Sequence, residues 1–298
     1  MNEKFKSIAN IRFFSTITAM IQDDILKSDM FFAWHSESDE IYKTMHCHPE
    51  YEVYYLKSGD VEYRIEGRLY TPAPESLFLI ESNSFHGVRV NSGLLYKRVS
   101  MHFPAELLDE PERNMLLAMF HGARPYYPDI SATKISLMVQ LIMDCKNMSE
   151  PLKTIAIKHR VAALLTHIYE LYSRNMPCSP VSTSHNERIL TILEYLNGNL
   201  RNHISLDDLS SRFYINKNYL NELFQMEMGT TINQYIRMKR VALAWQEMRK
   251  GYTAEEAAYR SGFNDYSNFY RAYKTFFGSM PSAQTCGDRV YEPFSKPG

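Results

Sequence analysis

Residues 205–280 contain an internal repeat, and a repeat limits what a chain can fold into more than composition does. Shifted by 48 positions, Ser205 falls on Thr253, Leu209 on Ala257, Ser210 on Ala258, Ile215 on Phe263 and Asn216 on Asn264. One inserted residue then sets Leu220 on Phe269, Leu223 on Ala272, Phe224 on Tyr273 and Gly229 on Gly278. Each copy reads as a polar cap, a short helix, a tight turn, a longer helix and a terminating Gly. That is the plan of a helix-turn-helix, expected over 205–229 and again over 253–278. Ser205 and Thr253 suit the caps of the first helices, Asn216 and Asn264 those of the second. Ser210 and Ala258 are small where two helices must approach. Gly262 supplies the positive φ that the second turn needs. Tyr214 holds the matching place in the first copy, so that turn either differs or is strained.

The second helix of each copy has two faces at 100° per residue. Leu220, Leu223 and Phe224 point inward in the first, and Phe269, Ala272, Tyr273 and Phe276 in the second. Asn218, Asn221, Glu222 and Gln225 point outward, as do Ser267, Arg271 and Lys274. Such side chains read base edges: Asn and Gln fit adenine, Arg guanine and Glu the cytosine amino group. A single such face is equally a plain solvated surface; two copies, each behind the same turn, argue otherwise. Between them runs Thr231–Lys250 without Pro or Gly. Its length of roughly 30 Å is close to the ~34–36 Å between successive major grooves on one face of DNA.

The rest of the chain reads differently. A Pro- and Ser-rich stretch near 175–184 reads as a linker. The domains are expected as 1–125, a helical dimerisation segment 126–176, a linker 177–184 and 185–298. The net charge of −1 hides a mild asymmetry: residues 1–184 carry 19 Lys and Arg against 22 Asp and Glu, and residues 185–298 carry 14 against 12. Short β-branched and aromatic runs at Tyr51–Leu56, Val61–Ile65, Leu77–Ile80, His86–Val90 and Tyr96–Phe103 predict a small antiparallel sandwich or barrel. A helical period follows over 131–174, with Ile135, Met138, Leu141, Ile142 and Cys145 on one stripe and Val161, Leu164, Leu165, Ile168 and Leu171 on another. This helix pair either covers the sheet or forms a dimer surface. No run spans a membrane. The four cysteines lack CxxC spacing, which fits a reducing cytoplasm.

Residues 186–284 resemble the DNA-binding domain of the AraC/XylS family of bacterial transcription regulators. The resemblance rests on SLDDLSSRFYINKNYLNELFQMEMG, on Tyr235, Arg240 and Ala244 of the connector, and on TAEEAAYRSGFNDYSNFYRAYKTFFGSMP. Ala257 and Gln284 depart from it, where a larger aliphatic and Tyr are usual. The resemblance implies that Asn218, Asn221 and Glu222, and Ser267, Asn268 and Arg271, face bases. Lys217, Arg240 and Lys274 are expected to meet phosphates, which position without reading sequence.

In the first half His46 and His48 alternate, Glu52 follows, and His86 comes later. This resembles the cupin signature, whose HxH, Glu and distant His hold a divalent metal. Glu81 and Asn83 stand where cupins usually have Pro and Gly, and Glu40 replaces a Gly. The four groups are expected either to hold a metal such as iron, manganese, zinc or nickel or to contact a small ligand directly. Trp34, Tyr54 and Arg64 are candidates to line the same pocket, where aromatic faces suit a sugar. The expected fold is α+β in two domains: a cupin-like β-barrel with a helix pair, then an all-α domain of two helix-turn-helix motifs on a long helix. The expected function is a cytoplasmic, ligand-responsive regulator, not an enzyme. It is expected to bind promoter DNA as a homodimer, respond to a small molecule and, as an activator, engage RNA polymerase. The alternatives are a cupin metalloenzyme with an appended helical domain and a protein-binding adaptor.

Overall fold

A computed structural model describes residues 21–28, 31–38, 45–91, 94–121, 126–127, 134–173 and 186–281. The linker expected at 177–184 lies outside them, and so do Cys178 and Cys286. Among the described residues nine strands form two sheets: β1 (Ile21–Ser28), β2 (Phe31–Ser38), β3 (Tyr51–Ser58), β4 (Val61–Ile65), β5 (Arg68–Tyr70), β6 (Ser76–Ile80), β7 (His86–Val90), β8 (Tyr96–Phe103) and β9 (Tyr126–Tyr127). The larger sheet runs β1-β2-β8-β3-β6-β9 and the smaller β5-β4-β7. Every pairing is antiparallel.

Side chains alternate across each strand, so β3, β6 and β8 bury both faces. Tyr54, Leu56, Phe78, Ile80 and Tyr96 of the large sheet meet Val61, Tyr63, Ile65, Tyr70 and Val90 of the small one. This is the inside of the barrel. Val53, Tyr55, Leu77, Leu79, Val99, Met101 and Phe103 face the other way. They are covered by α1 (Glu112–Leu117), α2 (Ile135–Met143) and α3 (Leu152–Ser173). Ile135, Ile142, Cys145, Val161, Leu164, Leu165 and Ile168 are buried there, as their stripes predict. Leu141 is not: it is largely exposed, and Val139 takes its place.

The described residues of the C-terminal half form helices and no strand: α4 (Glu187–Asn199), α5 (Leu206–Phe213), α6 (Lys217–Met228), α7 (Ile232–Arg249), α8 (Ala254–Arg260) and α9 (Tyr266–Phe277). Caps set the ends. Ser205, Asn216, Thr231 and Thr253 each accept a backbone N–H, and Thr253 with Glu256 closes a capping box. The cap of α9 is Asp265, not Asn264; its carboxylate accepts the Asn268 N–H at 2.7 Å. Gly229 and Gly278 end α6 and α9 in the left-handed region.

The two turns solve one geometric problem differently. Gly262 has φ +96°, and a Cβ there would lie 2.4 Å from the Leu200 carbonyl oxygen. Tyr214 also sits at positive φ, 54°, but with its side chain 96% exposed. The first turn keeps its strain because nothing crowds the ring; the second allows no side chain at all.

Candidate functional site

Two sites emerge. The first is the pair of outward helix faces on α6 and α9. Leu220, Leu223, Phe224, Phe269, Ala272 and Tyr273 anchor these helices inward. Lys217, Asn218, Glu222, Ser267, Asn268, Arg271 and Lys274 are exposed on the opposite faces. Asn221 is turned away: it is half-buried and its Oδ1 accepts the Ile232 N–H at 3.4 Å, tying α6 to α7. Lys217 pairs with Asp207 of α5. Arg271 donates to Asn268 Oδ1 at 2.6 Å, while Asn268 also binds Asp265. Its guanidinium therefore lies in a surface chain of polar groups.

Arg240 has a task the sequence did not show. Its Nε donates to the Leu200 carbonyl and Nη2 to that of Asn202, both at 2.7 Å. Leu200 caps α4 and Asn202 lies in the turn after it, so the expected phosphate contact is first a strut between the end of α4 and α7.

The second site is buried in the barrel. Residues 45–50 lead into β3, and the turn 81–85 leads into β7. His46 and His86 pair through mutual backbone hydrogen bonds of 2.8 Å. Glu52 lies opposite His102 in the β3–β8 ladder. The structure thus gathers all four residues of the expected cluster and adds His102 and Ser100. His46, His48 and His86 each offer a nitrogen within 4.8 Å of the others, and so do the side-chain atoms of His48, Glu52 and His102.

The hydrogen bonds fix which nitrogens face the centre. His48 Nδ1 lies 3.1 Å from the Glu50 carbonyl, and His86 Nδ1 lies 2.9 Å from that of Ser84. A carbonyl only accepts, so each Nδ1 carries the proton. Each Nε2 then faces the same oxygen, Glu52 Oε2, at 3.2 Å from His48 and 2.9 Å from His86. His86 Nε2 has no hydrogen bond there, although the residue is 1% exposed. Ser100 donates to the other carboxylate oxygen, and His102 Nε2 stands 3.0 Å from Ser100 Oγ. Burial alone penalises every charge in this centre. Burial drives His102 well below the usual histidine range. It also opposes ionisation of Glu52, but His102, His86 and His48 hold that carboxyl well below its usual range. For His48 burial works downward and loses to Glu52, which raises it.

Around this centre stand Tyr54, Tyr63 and Tyr96. The Tyr54 and Tyr96 hydroxyls are 2.7 Å apart, and Arg98 lies 6.0 and 5.8 Å from those two ring centres. Arg64 does not join them. Val61, Tyr63 and Ile65 take the inner face of β4, so Arg64 points out and meets Glu227 of α6 at 3.5 Å. Trp34 lies on β2 opposite Ser100, and its side chain is outside the described residues. Asn83 sits at φ +62°, which Asn tolerates better than most residues, at the place where cupins usually have Gly. His102, Ser100 and Arg98 were missed, yet the alternation Tyr96-Arg98-Ser100-His102 carried the signal.

Comparison with known proteins follows the same division. A model described as an AraC-like ligand binding domain matches residues 32–165, and one described as a helix-turn-helix domain matches residues 209–284. The chain is 29% identical over 104 residues to the HTH-type transcriptional activator AarP of Providencia stuartii, covering 35% of this chain and 77% of that one. It is 30% identical over 98 residues to the multiple antibiotic resistance protein MarA of Escherichia coli (strain K12), covering 31% and 74%. To the uncharacterized HTH-type transcriptional regulator YfiF of Bacillus subtilis (strain 168) it is 20% identical over 258 residues, covering 83% and 80%.

Proposed function

This chain belongs to the AraC family of transcription regulators, with a ligand-binding domain and a DNA-binding domain rather than an enzyme's active site, and from that premise we propose how each half works. The C-terminal half reads promoter DNA with two heads on one chain. The observation that carries this is the pair of anchored helices, α6 and α9, presenting Asn218, Glu222, Ser267 and Arg271 from either end of α7. Eighteen residues of α7 at about 1.5 Å each give about 27 Å, and the widths of the flanking helices bring the heads toward one turn of DNA. Selection from random duplex DNA tests it: an enriched site about two turns long supports the reading, and no enrichment refutes it.

The barrel half holds a divalent transition metal on His46, His48, Glu52 and His86. Metal-bound imidazoles commonly give their other N–H to a backbone carbonyl, as His48 and His86 do. The Nε2 atoms of His48 and His86 converge on one carboxylate oxygen at 3.2 and 2.9 Å, and a cation held there would draw on all three donors at once. The imidazole and carboxylate donors suit zinc, iron, manganese or nickel. The ion would give a small effector a Lewis-acidic anchor beside Tyr54, Tyr63 and Tyr96, whose faces suit a carbohydrate. Elemental analysis of tag-free protein decides: one equivalent of metal, lost in His86→Ala, supports the site, and metal far below one equivalent in folded protein refutes it.

The chain is further proposed to work in the cytoplasm as a homodimer that activates transcription through RNA polymerase. Leu137 and Leu141 of α2 and Leu152 and Ile155 of α3 support pairing, being apolar and exposed. A monomeric mass by light scattering at micromolar concentration would count against it. Among the described residues no helix is long and apolar enough to cross a membrane.

A further inference from the structure

The ligand end of the barrel is also the face that meets the DNA-binding domain. Cys47 and Phe85 belong to the same buried cluster as Ile189, Leu193, Phe224 and Tyr235. Both segments that carry the histidines touch α7. Its residues Tyr235, Lys239 and Gln246 lie on one helix face, since steps of four and eleven residues both return nearly to the same side. The Phe85 ring packs edge-on against Tyr235 at 5.2 Å. Gln246 reaches the Pro49 carbonyl at 3.3 Å and the Ser82 hydroxyl, and that hydroxyl in turn donates to Pro49 at 2.8 Å.

Lys239 is the centre of this contact. It is 5% exposed, and its ammonium donates to Glu66 Oε1 at 2.7 Å and to the Asn83 carbonyl. Asn83 answers by donating its Nδ2 to the Lys239 carbonyl at 3.3 Å. Glu66 also accepts the Phe85 N–H at 2.6 Å, and its Oε2 lies 2.8 Å from the Tyr235 hydroxyl and 3.1 Å from Asn197 Nδ2. The same Asn83 binds the His48 carbonyl through its own N–H at 2.8 Å, and Ser84 next to it orients the His86 ring. A buried ammonium that loses a partner is costly. The turn 81–85 therefore cannot shift without exposing that cost, and His48 and His86 cannot shift without the turn.

We infer that cation binding at the histidine cluster and docking of the DNA-binding domain are thermodynamically coupled with positive sign, through the turn 81–85 and Lys239. This rests on the metal reading above. The docked helix holds the ligands in place for the ion, and by linkage the ion tightens the docking by the same factor. The face of α7 that takes the load belongs to the helix joining both reading heads. Asn218, Glu222, Ser267 and Arg271 remain exposed in the docked arrangement, so the coupling acts on the placement of the heads, not by covering them.

Zinc titration of the full chain against a competing chelator tests it. Lys239→Met and Glu66→Gln touch no proposed ligand, yet each should weaken zinc binding by about fivefold or more. Arg64→Ala removes the half-exposed ion pair to Glu227, which also joins the halves but not through the turn, and should leave zinc affinity within about twofold. Wild-type affinity in a Lys239→Met protein of unchanged circular dichroism overturns the coupling. Hydrogen exchange of the wild type needs no variant: zinc should slow exchange in peptides covering both 81–86 and 235–243. Protection confined to the barrel overturns the coupling while leaving the metal site standing. A wild type that binds no zinc and no other divalent transition metal overturns the metal reading, and this inference with it.

Discussion

Gly262→Ala should cost the DNA-binding domain far more than an exposed turn substitution normally does. Gly262 holds φ +96°, where an L-residue pays about 1–2 kcal/mol. The added methyl would sit 2.4 Å from the Leu200 oxygen, 2.9 Å from Arg201 Cα and 2.9 Å from Arg240 Nε. Two of those atoms are backbone at the end of α4. Relief requires that end to move, and with it the Arg240–Leu200 hydrogen bond, a charge-assisted bond of about 1.5–3 kcal/mol. The two effects together come to about 2.5–5 kcal/mol. At ~4–8 °C per kcal/mol for a unit of this size, the melting temperature should fall by at least about 10 °C. Tyr214→Gly is the matched contrast. It removes the left-handed penalty from an exposed residue and adds chain entropy of ~0.5–1 kcal/mol to the unfolded state, so the melt should change little or rise. Thermal melts by circular dichroism compare the two. A Gly262→Ala protein that melts with the wild type would refute the reasoning, because neither the backbone conformation nor the contact could then be as described.

Arg240→Ala should lower stability by about 1.5–3 kcal/mol through its lost bonds to α4 and leave the salt slope of DNA binding unchanged; a slope reduced by about one unit would restore the phosphate contact expected from sequence. Glu66 gives a pH dependence: burial opposes its charge, but Lys239 wins and lowers its pKa from 4.5. A carboxyl lowered on folding stabilises above its unfolded pKa and loses that contribution as pH falls through the folded value. Contact between the halves, followed by exchange of 235–243, should therefore hold at pH 7 and loosen below about pH 4.5, and Glu66→Gln should flatten the change. Burial pushes the Cys47 thiol up to about 12, so thiol reagents should leave it unmodified in the folded chain and label it in denaturant; rapid native labelling would mean that the halves are not packed as described.

What the sequence made legible follows the range of the forces involved. The repeat exposed both helix-turn-helix units because caps, turns and helix faces are set by neighbours within a few residues; Ser205, Thr253 and Gly262 could be read one by one. Even so, Asp265 took the cap expected of Asn264, an ambiguity of one position between two good capping residues. Strands β3, β4, β6, β7 and β8 were legible from their aromatic and β-branched runs. β1, with IQDDILKS, carries no such run. The histidine cluster was legible as a spacing, but His102 needed the β3–β8 register that sets it opposite Glu52. Arg64 was misplaced although Val61, Tyr63 and Ile65 already claimed the inner face of its strand. Asn221 and Arg240 share one cause: their partners, Ile232 and Leu200, lie across helix junctions that periodicity does not describe. The Glu66–Lys239 contact spans 173 positions and left no local trace.

The central claim is that one chain carries two reading heads a helical turn apart. It is tested most directly by full-chain binding to every single-base variant of the selected site, for wild type, Glu222→Ala and Arg271→Ala. Arg271 can give two hydrogen bonds to guanine O6 and N7, and losing such a pair should relax preference by about 1–3 kcal/mol at one position. Glu222→Ala should relax a different position, with the two about 10–10.5 base pairs apart. Unchanged base preferences in stably folded variants, or both variants relaxing the same position, would contradict the account.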